Sequence, residues 1–176
     1  MNGIMGLFKS TNHFSSDLFG LCHYSSGQPP HGTEVCVMTL INTVLHLCSV
    51  YYFDNLVNLV SLYNKTQEVT QAQHLISHAL EPEVGRLSIK WITLVVPALV
   101  CLTNALKPHL DVAVRFRTLL FTSLHRLWTS DDLSSILSSI SGKRVTEGGL
   151  GLPMGIVHTH HFLITIMQWH FCKEVV

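Results

Sequence analysis

The residues best equipped for chemistry lie near the C-terminal end: His158, His160 and His161, followed by His170 and Cys172. Imidazole and thiolate are favoured zinc ligands, and a structural zinc site closes a tetrahedron with four of them. In HxHH, His158 and His160 point the same way only on a strand, where alternate side chains share a face. His158, His160 and His161 are therefore the candidate metal ligands, to be weighed against a plain histidine-rich loop. His74 and His78 stand four apart, a spacing that puts two ligands on one helix face. No HExxH and no third ligand accompany them, and His46, His109 and His125 are scattered. The expectation is no metal and no cofactor.

Nucleophilic catalysis has less support. No GxSxG is present, and none of the five cysteines sits in a recognisable catalytic setting. Ser141-Gly142-Lys143-Arg144 lacks the upstream glycine and the following Ser or Thr of a phosphate-binding loop. No glycine-rich dinucleotide turn follows a strand pattern. The chain is not expected to be an enzyme.

One charge pattern points instead to binding. Between residues 84 and 127, Arg86, Lys90, Lys107, Arg115, Arg117 and Arg126 are opposed by Asp111 alone. Lys107, Arg115, Arg117 and Arg126 are the candidate partner-binding residues, a basic ridge for an acidic partner or for phosphates. The three arginines belong to one expected helix but do not share one face, so a set of solvated rim charges competes with that reading. Over the whole chain eleven basic and eleven acidic side chains cancel, which leaves no global electrostatic reason to bind nucleic acid. A protein is the expected partner, with nucleic acid behind it.

The elements that must position these groups follow from composition and period. Hydrophobic residues make up 47% of the 176-residue chain and charged residues 12%, against about 25% charged in an ordinary soluble domain. The five cysteines are odd in number and widely spaced. That argues against a disulfide framework and for a reducing compartment, cytoplasm or nucleus. No secretory signal opens the chain. Residues 1–33, rich in Ser, Gly, His and Pro, read as a disordered or loosely packed lead.

Val35–Phe53 runs nineteen residues without a charge. Its polar members Thr39, Asn42, Thr43, His46 and Ser49 recur every three or four residues, which predicts a helix with a polar stripe. Asp54 is placed to cap a following helix over Asn55–Tyr63, and Thr66 to cap another that ends at Glu81-Pro82. Trp91–Leu106 is uncharged and contains Pro97, which predicts a short helix and then a second one from about Pro97. Asp111–Ser130 is the next expected helix. Leu133–Ile140 is a last short one, capped by Ser130-Asp131-Asp132 and stopped by Ser141-Gly142. Residues 143–176 form an irregular apolar tail rich in Gly and His, with a β-leaning run over Phe162–Met167.

Val96–Leu127 resembles a HEAT/armadillo-type helical repeat. In that family a first helix carries a proline near its start, an Asp lies near the turn, and a Val-Arg pair opens the second helix. Pro97, Leu99, Leu102, Leu106, Asp111, Val114, Arg115, Leu120, Leu124 and Leu127 take those places. Thr118 stands where a small residue is usual, and Phe121 is larger than typical. The texture around Val114-Arg115 is also similar to that of large helical-repeat meiotic regulators such as the meiosis inhibitor proteins. The resemblance implies an all-α fold, a short α-solenoid-like stack of antiparallel helix pairs over residues 34–142. It also implies a slice or short isoform of a longer helical-repeat protein. The expected function is a non-catalytic protein–protein interaction scaffold or adaptor. The alternative is a multi-pass integral membrane protein with segments near 35–53, 91–106 and 150–169.

Overall fold

Asn2–Ser25 forms a long helix, α1. The computed structural model describes residues 2–26, 30–61, 75–106, 111–143 and 150–171. The buried stripe of α1 runs through Phe8, Thr11, Ser15, Leu18, Phe19 and Cys22, at helical spacing. Two of those positions are hydroxyl residues, while Ile4, Met5, Leu7 and Leu21 are exposed. Polarity therefore fails to mark the buried face, which is why residues 1–33 read as a loose lead. The Thr11 hydroxyl is satisfied within the helix by the Leu7 carbonyl at 2.8 Å.

The expected helix over Val35–Phe53 is replaced by a five-residue helix, α2 (Gly32–Cys36), a loop, and a strand, β1 (Val50–Phe53). The polar residues that suggested a helical stripe are the ones that fold the loop. The Thr39 hydroxyl donates to the Leu47 carbonyl at 2.7 Å, and the Cys48 N–H donates to Asn42 Oδ1 at 2.8 Å. Thr43 closes a turn with His46, whose N–H donates to the Thr43 hydroxyl at 2.9 Å. Such short polar side chains give the backbone partners that compete with a helix ladder.

Asp54 does not cap a helix. With Asn55 it occupies the left-handed region (φ 53° and 60°) as a two-residue hairpin turn, a geometry that Asp and Asn tolerate. The turn leads into β2 (Leu56–Ser61), which pairs antiparallel with β1, Tyr52 opposite Val57. A third strand, β3 (Ile76–Ala79), pairs antiparallel with β2, Leu59 opposite His78. The sheet order is β1-β2-β3. The fold is thus mixed α/β, and neither the all-α class nor the solenoid stack holds. The aromatic and β-branched content of Val50–Phe53 and the alternation of buried Val57 and Leu59 suit strands.

Glu81 caps the next helix, accepting from the Glu83 and Val84 N–H groups at 2.9 and 3.2 Å with Pro82 at the first turn. This helix, α3 (Pro82–Leu106), runs 25 residues without the expected break. It widens into a π turn over Trp91–Val95, where the Val96 N–H reaches the Trp91 carbonyl five residues back. Pro97, which has no N–H to donate, follows that turn directly, and the helix absorbs it rather than ending. The first half of α3 packs on β2 and α1.

The helix expected over Asp111–Ser130 stops after seven residues, α4 (Val112–Thr118). Leu119 is extended and bridges Thr39. The Leu40 N–H donates to the Thr118 carbonyl at 2.8 Å and the Leu120 N–H to the Met38 carbonyl at 3.0 Å. Residues beyond the bridge turn as those after Thr39 do, with Ser123 and Arg126 in the roles of Thr43 and His46. A repeat-type second helix would have continued through Leu127, so the repeat layout read at Val96–Leu127 is not formed. α5 (Ser130–Ser141) appears where it was expected, capped by Thr129 and followed by Gly142. Within the tail Ile156–Phe171 is helical rather than irregular or β-like and forms α6, which packs on α5.

The core joins α1, the loop around Met38, the inner face of the sheet, α3, α4 and α5 through Phe19, Leu59, Trp91, Leu99, Phe116 and Leu137. The Thr39–Leu119 seam ties its two sides together. Thr39→Val keeps the shape of this residue, 1% exposed, but removes its bond to the Leu47 carbonyl. We expect a loss of about 1–3 kcal/mol in urea unfolding, as for other buried groups left unpaired.

Candidate functional site

The candidate basic ridge is divided by the fold. Arg115 is half-buried and donates to the Leu124 carbonyl at 3.1 Å, so it braces the loop after α4. Arg126 pairs with Asp132 at the start of α5. Arg117 is exposed. Lys107 lies outside the described residues. Arg115 and Arg126 thus brace the loop and the α5 start.

Asp132 is the centre of that arrangement. Its carboxylate accepts from the Thr129 N–H at 2.9 Å and from the Thr129 hydroxyl at 3.0 Å, while the Asp132 N–H donates back to that hydroxyl at 3.3 Å. This reciprocal cap satisfies N–H groups that a helix start leaves open. The Thr129 backbone N–H, the Thr129 hydroxyl and the Arg126 guanidinium together hold the Asp132 carboxyl below its usual range.

The described histidines do not converge on one point. His158 and His161 are exposed on α6, three residues apart, a helix having replaced the strand that the candidate pattern required. Of the His160 and His170 side chains nothing is described, and His74, His109 and Cys172 lie outside the described residues. His78 is buried on β3, while His46 and His125 are exposed in the two turns. Among the described residues no three His, Cys, Asp or Glu side chains gather as a metal site. His161 does line a cleft of about 370 Å³ with His31, Thr33, Ser130 and Val157, a meeting of distant segments that no spacing in the sequence indicates.

Cys22, Cys36, Cys48 and Cys101 are free thiols. Burial pushes the Cys22 thiol up to about 11, although Ser88 Oγ, 3.6 Å away, works against that rise. Cys101 is exposed on α3. Ser141, of the phosphate-loop-like segment, ends α5, and its hydroxyl accepts from the Met154 N–H at 2.7 Å.

One exposed surface was not singled out in the sequence. It lies where β1 runs beside α3. The inner face of the sheet carries Val57, Leu59, His78 and Leu80, all buried. Gly85 lets α3 approach closely: a Cβ there would stand 3.1 Å from Val57 Cγ2. Tyr52, on the same sheet face as Val57, extends past the helix and is 67% exposed. A cleft of about 510 Å³ results, bounded by Tyr52, Val57, Pro82, Arg86, Ile89 and Lys90. Tyr51 and Phe53 stand exposed on the opposite face of the strand. Farther along α3, Leu94 and Leu106 are exposed as well. Reading residues 50–61 at strand period instead of helix period would have found the hairpin. The cleft itself depends on tertiary placement.

No family model, curated protein or solved structure matches the chain.

The depressed carboxyl of Asp132 fixes the sign of one pH effect. Its stabilising contribution is fully present above the unfolded carboxyl range, near pH 4, and is lost as pH falls through the lower folded value. Asp132→Asn is therefore expected to lower stability at neutral pH and to lose less on acidification than the parent chain. Urea unfolding of both proteins across that range checks this.

Proposed function

We propose that the chain is a non-catalytic protein-binding module, a scaffold or adaptor, whose partner rests on the surface formed by β1 and the outer side of α3. The supporting observation is that α3 has the length and apolar composition of a membrane-crossing helix, while only 22% of its most apolar window is buried. Beside it, Tyr51, Tyr52 and Phe53 are exposed on an edge strand. Exposed apolar surface of this kind marks a site that another molecule covers.

A protein partner suits the surroundings better than lipid. The first half of α3 is packed on β2 and α1, next to a strand whose outer edge is unpaired among the described residues, and open sheet edges do not enter hydrocarbon. Of the three segments in the multi-pass alternative, Val35–Phe53 is not a helix. A cytoplasmic or nuclear location accords with the protein-binding reading.

The test is to express the full chain in cells and fractionate it without detergent. The expected result is a soluble species eluting well above the chain's own 19.7 kDa. Tyr51→Ser with Phe53→Ser and Leu94→Ser should shift it toward that mass. Retention in the membrane pellet after alkaline carbonate would overturn the reading in favour of α3 as a membrane segment. Elution of the parent chain at its own mass would overturn it as well.

A further inference from the structure

Resting on the protein-binding reading, we propose that β1 receives an extended acidic peptide of a partner protein as an added strand, with its carboxylates set against Arg86 and Lys90.

The phase of the hairpin exposes the backbone needed for this. Phe53 and Leu56 flank the two-residue turn, so they form a hydrogen-bonded pair, and such pairs alternate along an antiparallel ladder. Tyr51 with Asn58 is then the next bonded pair and Ser49 with Val60 the one after. The Val60 N–H donating to the Ser49 carbonyl at 2.8 Å agrees with that phase. The Leu80 N–H donating to the Val57 carbonyl agrees from the other side of β2. Val50 and Tyr52 therefore aim their N–H and C=O groups off the edge of the sheet. The Val50 carbonyl meets the Cys48 thiol at 3.5 Å. Among the described residues Tyr52 is left with a donor and an acceptor pointing outward, the arrangement to which an incoming strand adds.

The side chains beside that edge specify the partner's chemistry. The Tyr52 ring, on the helix-facing side of the sheet, walls the cleft with Val57 and Ile89. Side chains of an added strand alternate between faces, so every second residue would project into this cleft. The charged groups lining it are Arg86 and Lys90. Arg86 is shared with Glu83 on the solvent side, and Lys90 is in no ion pair among the described residues. Asp54 sits at the hairpin tip, beyond the cleft lining. An alternating peptide with its acidic residues on the cleft face, toward Arg86 and Lys90, sets its apolar residues on the opposite face beside the exposed Tyr51 and Phe53. The attraction is between solvent-exposed charges, so salt screens it.

The probe is a fluorescein-labelled peptide of alternating Glu and Val, added to the full chain and followed by fluorescence polarisation. Its Lys/Val counterpart and a labelled oligothymidylate serve as comparisons. The Glu/Val peptide is expected to bind, more weakly in high salt, and the other two not to bind. R86E with K90E should weaken Glu/Val binding by roughly tenfold or more, from two lost and reversed charge contacts, and should admit the Lys/Val peptide. Tyr52→Pro removes the outward N–H at an edge position where proline does not break the existing ladder. It should abolish binding while circular dichroism stays unchanged, and Tyr52→Phe should retain binding.

Failure of the Glu/Val peptide to bind overturns the edge site, as does binding that R86E with K90E and Tyr52→Pro leave unmoved. If the chain still elutes as a complex from cells, the protein-binding reading survives that failure. Preferential capture of the oligothymidylate, lost in R86E with K90E, overturns the peptide in favour of phosphates.

Discussion

The seam between Met38–Leu40 and Thr118–Leu120 is the constraint on which the rest of the structure depends. Thr39 is almost wholly buried, bridges Leu119, and binds the Leu47 carbonyl through its hydroxyl, while its N–H donates to Ser49 Oγ at 3.1 Å. Through Ser49, whose N–H donates to the Thr39 carbonyl, the seam leads into the hairpin. Through Leu120 and Phe121 it leads to the aromatic group of Phe19, Phe121 and Trp128, in which Phe121 and Trp128 lie nearly parallel at 6.3 Å. A bridge between residues so far apart in sequence has a large loop-closure cost. It persists because its bonds are buried and its neighbours pack on the same core.

The open side of the molecule follows from how little of the sheet the helices cover. A three-stranded sheet has two edges and two faces. Here α3 lies tightly over β2, at the place where Gly85 permits close approach, and covers β1 incompletely. Tyr52 is left beyond the packed face with Arg86 and Lys90 across from it. Natural edges are often protected by charge, by proline or by a cover. β1 has none of the first two within its four residues, Val50–Phe53.

Legibility in the sequence depended on whether local bonding and global packing agreed. At α5 they agreed: Thr129 and Asp132 form the cap, Leu133 and Leu137 face inward, and Gly142 follows, so the element could be read directly. At Val35–Phe53 they conflicted. The recurrence of Thr39, Asn42, Thr43, His46 and Ser49 has a helical period, yet the side chains of Thr39, Asn42, Thr43 and Ser49 bond to backbone and fold a loop, with His46 joining through its backbone. The same substitution of hydroxyl turns for helix happened after Leu119. In α1, Thr11 and Ser15 occupy buried positions and mask the stripe. The cleft was illegible because Tyr52 and Lys90 are brought together by the packing of α3 on the sheet, and no spacing indicates that Arg115 meets the Leu124 carbonyl or Arg126 meets Asp132.

The π turn in α3 has a consequence of a different kind. Closing a turn with a bond five residues back, rather than four, places one more residue in that turn than an α-helix holds. The faces before and after it are thereby offset by about 100° from an uninterrupted helix. Ser88, inward in the first half, and Leu99 and Thr103, inward in the second, each keep their place only while that extra residue remains. In register terms α3 holds one residue more at its middle than a regular helix of the same span. A one-residue deletion within Trp91–Val95 would restore a regular helix and at the same time turn one half of it away from its neighbours. The length of this segment is under stronger constraint than the identity of its exposed residues.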